Sequence, residues 1–279
     1  MTAKVIRLFP TPAQETPLQG LYLRQGIRNQ PPPKDRAYVY ANFIASLDGR
    51  IAVAAPGEDA VRLAEAVTNQ RDWRLFQELA VQADLLITSG RYLREYAAGA
   101  RQEILQVYDD PDFEDLKEWR LAQDLPAQPA LAVISRSLNF QVPSSLVEAE
   151  RPLLVFTTQD ADPQRIRALE KQSTQVIIAG EGSISGALLT KAAYELGYRW
   201  IYSTAGPKVH HLLLSGGVLD RLHLTFASRI LGGRPFASIV EGPLLQPPAD
   251  FVLQSLYLDP HALDGLGQLY AAYGRVSRD

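Results

Sequence analysis

A chain of 279 residues with 46% hydrophobic and 21% charged residues has the composition of a packed globular protein, with room for one large α/β domain or two small ones. A net charge of −3 and a pI near 5.9 leave no basic footprint for nucleic acid or an anionic membrane. The absence of cysteine excludes disulfides, thiolate metal sites and cysteine nucleophiles, and four histidines leave little material for a histidine metal site.

No apolar run is long enough to span a bilayer. The N-terminus breaks at Pro10 and Pro12 before a signal-like segment forms, so a cytoplasmic protein is expected. Residues 1–36 are proline-rich and weakly periodic, ending in the stiff spacer Pro31-Pro32-Pro33. They read as a peripheral N-terminal arm, with the main domain running from 37 to 279. The first strand is Tyr38–Leu47, which runs into an Asp48-Gly49 turn. Asn42 and Ser46 are polar positions inside this otherwise apolar strand, and each needs a partner or a ligand. Residues 52–65 read as a loose loop. Thr68 or Asn69 then caps a helix whose core face carries Trp73, Phe76, Leu79, Ala80 and Ala83.

The helix feeds a short apolar strand, 85–88, that ends in Ser89-Gly90-Arg91. Residues 92–128 are acidic in places and hold helical pieces but no strand, so they read as an insertion over one end of the sheet and a candidate substrate lid. The strand 130–134 ends in Ser135-Arg136-Ser137, and further strands fall at 153–158 and 176–179. The last of these leads into Gly180-Glu181-Gly182 and a helix to Leu196. Ser185 stands where a dinucleotide fingerprint has its third glycine, so this motif alone is weak. Trp200–Tyr202 then runs into Ser203-Thr204-Ala205-Gly206-Pro207-Lys208 and a helix over 209–214 stopped by Gly216-Gly217. Strands at 222–226 and 251–258 close the chain.

Alternating strands and helices predict a mostly parallel sheet with helices on both faces, and ligands sit at the C-terminal ends of such strands. Three of these ends carry small residues with one cation: Ser89-Gly90-Arg91, Ser135-Arg136-Ser137 and Thr204–Lys208. Helix N-termini attract phosphate, Gly206 permits close backbone approach, Pro207 suits the first helical position and Lys208 adds charge. Their convergence points to a phosphate-bearing ligand. No nucleophile elbow, metal spacing, Walker loop or internal repeat is present.

From about Arg36 to Tyr273 the chain resembles the reductase domain of riboflavin biosynthesis, a dihydrofolate-reductase-like pyrimidine reductase family. The resemblance rests on YVYANFIASLDGRIA (38–52), VTNQRDWRLFQELAVQADLLITSG (67–90), LAVISRSL (131–138), LLVFTT (153–158) and TAGPKVHHLLLSGGVLDRLHLTFASRILGG (204–233). It implies a three-layer α/β fold of dihydrofolate-reductase type, and NADPH reducing a phosphorylated ribosylamino-pyrimidinone at its sugar. It places Thr204, Ala205, Gly206, Pro207 and Lys208 at the cofactor diphosphate. Ser89, Gly90, Arg91, Ser135, Arg136 and Ser137 fall toward the adenosine and its 2′-phosphate. Asn42, Ser46 and Asp48 line the nicotinamide and substrate side, with Asp48 orienting or protonating the substrate. The chain departs from the family at Thr204-Ala205, where Glu-Gly is usual, and at 91–100, which lacks the Asp-Pro substrate loop. The resemblance also implies a two-fold dimer through Leu219, Leu222, Leu224, Phe226 and the last strand. Two other readings stay open: a non-catalytic nucleotide-binding or regulatory protein on this fold, and a dihydrofolate or pterin reductase.

Overall fold

The computed structural model describes residues 3–55, 57–172 and 174–276. In chain order the elements are β1 (Lys4–Phe9), β2 (Gln14–Pro17), β3 (Tyr38–Ser46), β4 (Ala52–Ala54), β5 (Val61–Leu63), α1 (Gln70–Ala80), β6 (Leu85–Ser89), α2 (Gly90–Ala97), α3 (Glu114–Ala122) and β7 (Ala130–Ile134). They continue with α4 (Ser144–Glu148), β8 (Leu153–Thr157), α5 (Pro163–Glu170), β9 (Thr174–Ile178), α6 (Gly186–Glu195), β10 (Trp200–Ser203) and α7 (Pro207–Ser215). The chain ends with β11 (Leu219–Ala227), β12 (Phe236–Ala237), β13 (Phe251–Asp259) and β14 (Gln268–Arg275). Every strand expected from the sequence forms.

One 11-stranded sheet organises the molecule, in the order β2-β1-β13-β14-β11-β3-β10-β6-β7-β8-β9. From β11 to β9 all neighbours are parallel; β14, β13, β1 and β2 extend the β11 side antiparallel. The parallel strands are buried on both faces, which is why they read as continuous apolar runs. Strand alternation divides them: Tyr40, Leu86, Leu131 and Tyr202 pack with α1 to α5, whereas Val39, Ile87, Ala132 and Ile201 pack with α6 and α7. This is the expected three-layer α/β architecture. Asn69 caps α1, its side chain accepting from the N–H groups of Arg71 and Asp72.

From residue 3 on, the N-terminal segment packs into the body of the molecule. β1 pairs with β13, and Leu21, Tyr22 and Ile27 are buried in the core. Glu78 on α1 accepts the backbone N–H groups of Gly20 (2.6 Å) and Tyr22 (2.8 Å), so helix and N-terminal segment are stitched together. Residues 52–65 hold two short strands that join β12 in a separate three-stranded sheet. The 92–128 segment is no lid either. Ile104, Leu105, Val107, Phe113 and Leu116 are buried against the α1 face, and Gln77 clamps the segment through Ile104 O and Gln106 N, both at 2.9 Å.

Candidate active site

Parallel register brings the expected loops to one edge. Ser203 at the end of β10 lies opposite Ala41 of β3 and Ile87 of β6, and Ile87 lies opposite Ala132 of β7. Thr204 locks this edge by donating both its N–H and its hydroxyl to Ile87 O, each at 3.0 Å. The loops after β10, β6 and β7 and mid-strand Asn42 of β3 therefore follow one another across three strand spacings, on the order of 15 Å, while β3 itself runs on past this level to Ser46. That reach suits a stretched ligand.

The candidate anion-binding groups lie at the β10 to β7 end. Gly206 precedes α7 with no side-chain cap, Pro207 opens the helix, and the space around Gly206 is free for a ligand. A helix N-terminus of this kind is a natural seat for a phosphate, although Pro207 has no N–H and those of Val209 and His210 turn back to Gly206 O. At α2, Ser89 is the N-cap, its Oγ accepting from Tyr92 N at 3.4 Å, and Gly90 is buried; a Cβ there would meet the Phe140 ring at 3.0 Å. Ser135 Oγ and Ser137 Oγ accept from Leu138 N (3.1 Å) and Asn139 N (3.4 Å), shaping the loop. The three rim cations are paired with local acids: Arg91 with Glu95, Arg136 with Asp160 and Lys208 with Glu241. All three cation side chains are more than half exposed, so these pairs contribute little to stability. Such a donor set fits a dinucleotide. The Gly180–Gly182 turn lies at the C-terminal end of β9, beyond β8, and Ser185 caps α6.

At the β3 end, Asn42 Oδ1 accepts the Tyr202 hydroxyl, which answers the polar position in a core strand. Ser46 Oγ donates to Asp48 at 2.5 Å. Asp48 also accepts from Arg50 Nε (2.7 Å), Gly232 N (2.9 Å) and Leu231 N (3.2 Å). These bonds, that from Ser46 foremost and that from Gly232 next, hold its carboxyl down at about 2. Asp48 is thus a standing carboxylate that ties the β3 turn to the loop after β11, and it carries no proton to donate near neutral pH.

A carboxyl that sequence reasoning passed over lies on the α1 side of the same edge. Asp72, in the first turn of α1, accepts the Thr225 hydroxyl of β11 at 2.6 Å. Burial pushes its carboxyl up to about 6, with the Thr225 bond opposing. Thr225 sits opposite Ile44, two residues beyond the Asn42 pairing, so Asn42 and Thr225 share a sheet face. The available signal was position. Asp72 precedes Phe76 by four residues, which sets an acid on the helix stripe assigned to the core.

The family model described as the RibD C-terminal domain matches residues 37–255. The chain belongs to this family. It is similar to the 2,5-diamino-6-ribosylamino-4(3H)-pyrimidinone 5′-phosphate reductase of Methanothermobacter thermautotrophicus, at 23% identity over 218 residues, 78% of this chain and 89% of that protein. Among solved structures, a pyrimidine reductase-like protein from Corynebacterium diphtheriae superposes with a TM-score of 0.66 at 22% identity, covering 87% of this chain and 93% of that one. RibD of Acinetobacter baumannii matches with a TM-score of 0.59 at 14% identity, covering 88% of this chain and 59% of that one. The fold is therefore that of the RibD reductase domain. At this edge Thr204 donates both its N–H and its hydroxyl to Ile87 O, and Ala205 is buried with the residues of the α6–α7 side. Among the described residues no cluster could hold a metal ion, and no helix is long and apolar enough to cross a membrane.

Proposed function

We propose that this chain reduces the ribosylamino arm of a phosphorylated aminopyrimidinone, with NADPH as the hydride donor. The observation that carries the reading is the single edge joining Asn42, Thr204–Lys208, Ser89–Arg91 and Ser135–Ser137 in a member of a reductase family. The relatives that share most of the chain's length carry the name of that activity. The cofactor supplies the hydride. On the sugar, C1′ gains that hydride, the C1′–O4′ bond opens, and the former ring oxygen takes a proton, leaving an open-chain polyol. The residues bind and orient: the first turn of α7 with Lys208 receives the diphosphate, and Arg91 and Arg136 serve the adenosine and 2′-phosphate end. Asn42, fixed by Tyr202, presents its amide to the reaction end, and Ser46 with Asp48 ties the β3 turn to the loop at Leu231 and Gly232.

Assembly and location follow the same reading. The β11–β14–β13 face opposite α1 carries half-buried Phe226, Leu269, Leu256 and Leu258, whereas Leu219 and Leu222 are spent in the core. A two-fold dimer through the half-buried face is proposed, in the cytoplasm; a monomer mass by sedimentation at micromolar concentration would remove it. The activity itself is tested by NADPH oxidation with the named pyrimidinone, with dihydrofolate as the comparison. Faster turnover of dihydrofolate would favour a pterin reductase, and cofactor binding without turnover of either would favour a regulatory protein.

A further inference from the structure

We infer that Glu241 is a tethered competitor of the cofactor diphosphate: its carboxylate holds Lys208 in the first turn of α7, and a diphosphate arriving there must displace it. The inference deepens the proposed function and rests on it, because it adds an autoinhibitory contact to the diphosphate end of that site.

Glu241 is brought to α7 by its own segment rather than by its charge. Residues 231–243 form a strap from the turn after β3 to the start of α7, fastened at both ends. At the β3 end, Leu231 N and Gly232 N donate to Asp48, Arg50 Nη1 donates to Gly233 O at 2.6 Å, and Ile51 N donates to Ala237 O at 2.9 Å. At the α7 end, Glu241 N donates to Pro207 O at 3.2 Å, and His211 Nε2 lies 2.7 Å from Pro243 O. Ile239 and Val240 pack against the α6–α7 side of the core. Gly242 suits this crossing because a Cβ there would run into the His211 ring. Backbone and apolar contacts thus fix the strap, and the Glu241 side chain is left to meet Lys208.

The electrostatics of that turn make the contact matter. Pro207 brings no N–H, and those of Val209 and His210 turn back to Gly206 O, so the attraction for an anion rests on the helix dipole and on Lys208. Glu241 Oε1 stands 3.3 Å from Lys208 Nζ. A carboxylate on this cation at a helix N-terminus answers the same charge that a phosphate oxygen would. The Arg91–Glu95 pair is a contact within α2, whereas Lys208–Glu241 joins two segments that a main-chain bond holds together. Both side chains are more than half exposed, so the competition is modest. Losing it should shift affinity about two- to fivefold at low salt, less as salt screens the pair.

The test titrates NADPH and NADH into the full chain by fluorescence, at low (about 20 mM) and high (about 500 mM) salt. Glu241→Gln removes the charge and keeps the main-chain bond to Pro207 O. It should tighten both cofactors about two- to fivefold at low salt, to the same extent because they share the diphosphate, and the gain should vanish at high salt. In a Lys208→Gln background the same substitution should gain nothing, since the partner it released is gone. Unchanged or weaker binding by Glu241→Gln would overturn the inference. So would a gain that persists in the Lys208→Gln background, which would mark a general effect of net charge. The failure of the broader reading looks different: Lys208→Gln alone would leave NADPH affinity unchanged, removing the diphosphate from α7 and the competition with it. Weaker binding by Lys208→Gln beside an unresponsive Glu241→Gln would overturn the role of Glu241 and leave the diphosphate site standing.

Discussion

Replacing Asp72 by Asn should make the protein more stable at neutral and alkaline pH. Asp72 has a folded-state value of about 6 against an ordinary 3.8, because burial penalises its charged form. The folded state therefore holds this proton more tightly than the unfolded chain. Stability is greatest below the unfolded value and falls as pH rises from about 4 to 6, levelling off above. At about 1.4 kcal/mol per pH unit, the gap corresponds to a penalty of about 3 kcal/mol at pH 8, as an upper figure. Asn keeps an acceptor for Thr225 and has no charge to desolvate, so Asp72→Asn should recover about 1–3 kcal/mol at pH 8 and almost nothing at pH 4. In a chain of this size that is a rise of about 3–8 °C in Tm. Urea unfolding of both proteins from pH 4 to 8 measures the difference directly. A variant that is less stable at pH 8, or a difference that does not change with pH, would refute the account of a desolvated carboxylate kept at a cost.

Three other outcomes follow from named contacts. Arg136→Ala should weaken NADPH binding about tenfold and leave NADH binding nearly unchanged in a fluorescence titration, since its surface pair with Asp160 is exchangeable for the 2′-phosphate; equal losses would remove it from that role. Gly180→Ala should cost about 2–4 kcal/mol by denaturant melts, because φ is +154° and an added Cβ would lie 1.9 Å from Ser183 O. Deleting residues 1–30 should abolish the cooperative melt, since it uncovers the core around Leu75 and Leu79 and takes two backbone donors from buried Glu78; a truncated chain that melts normally would restore the arm to the periphery.

The legible parts of this chain were local. The apolar runs of β6, β7 and β8, the Asn69 cap and the α1 stripe each follow from neighbouring residues, and right-handed parallel connections carry them to a three-layer sheet. The loops at Ser89, Ser135 and Thr204 were found because parallel strands deliver their C-terminal ends to one edge. What escaped depends on distant partners. Lys4–Phe9 reads as a fragment before prolines until β13 is there to pair with it. β14 carries Ala271, Ala272 and Gly274, too small to signal a strand, yet it is buried between β11 and β13. Asp48 looks like an available acid until the backbone of Leu231 and Gly232, 183 and 184 residues away, occupies it. Asp72 shows its character only when Thr225, 153 residues on, supplies its hydroxyl.

The most direct test of the proposed activity is a stoichiometric assay. Purified protein would be mixed with NADPH and 2,5-diamino-6-ribosylamino-4(3H)-pyrimidinone 5′-phosphate, with absorbance following cofactor oxidation and mass spectrometry the pyrimidine. One NADPH should be consumed per substrate, and the product should be heavier by two hydrogens, with the sugar opened. Saturable NADPH binding with no oxidation and no mass change would contradict it.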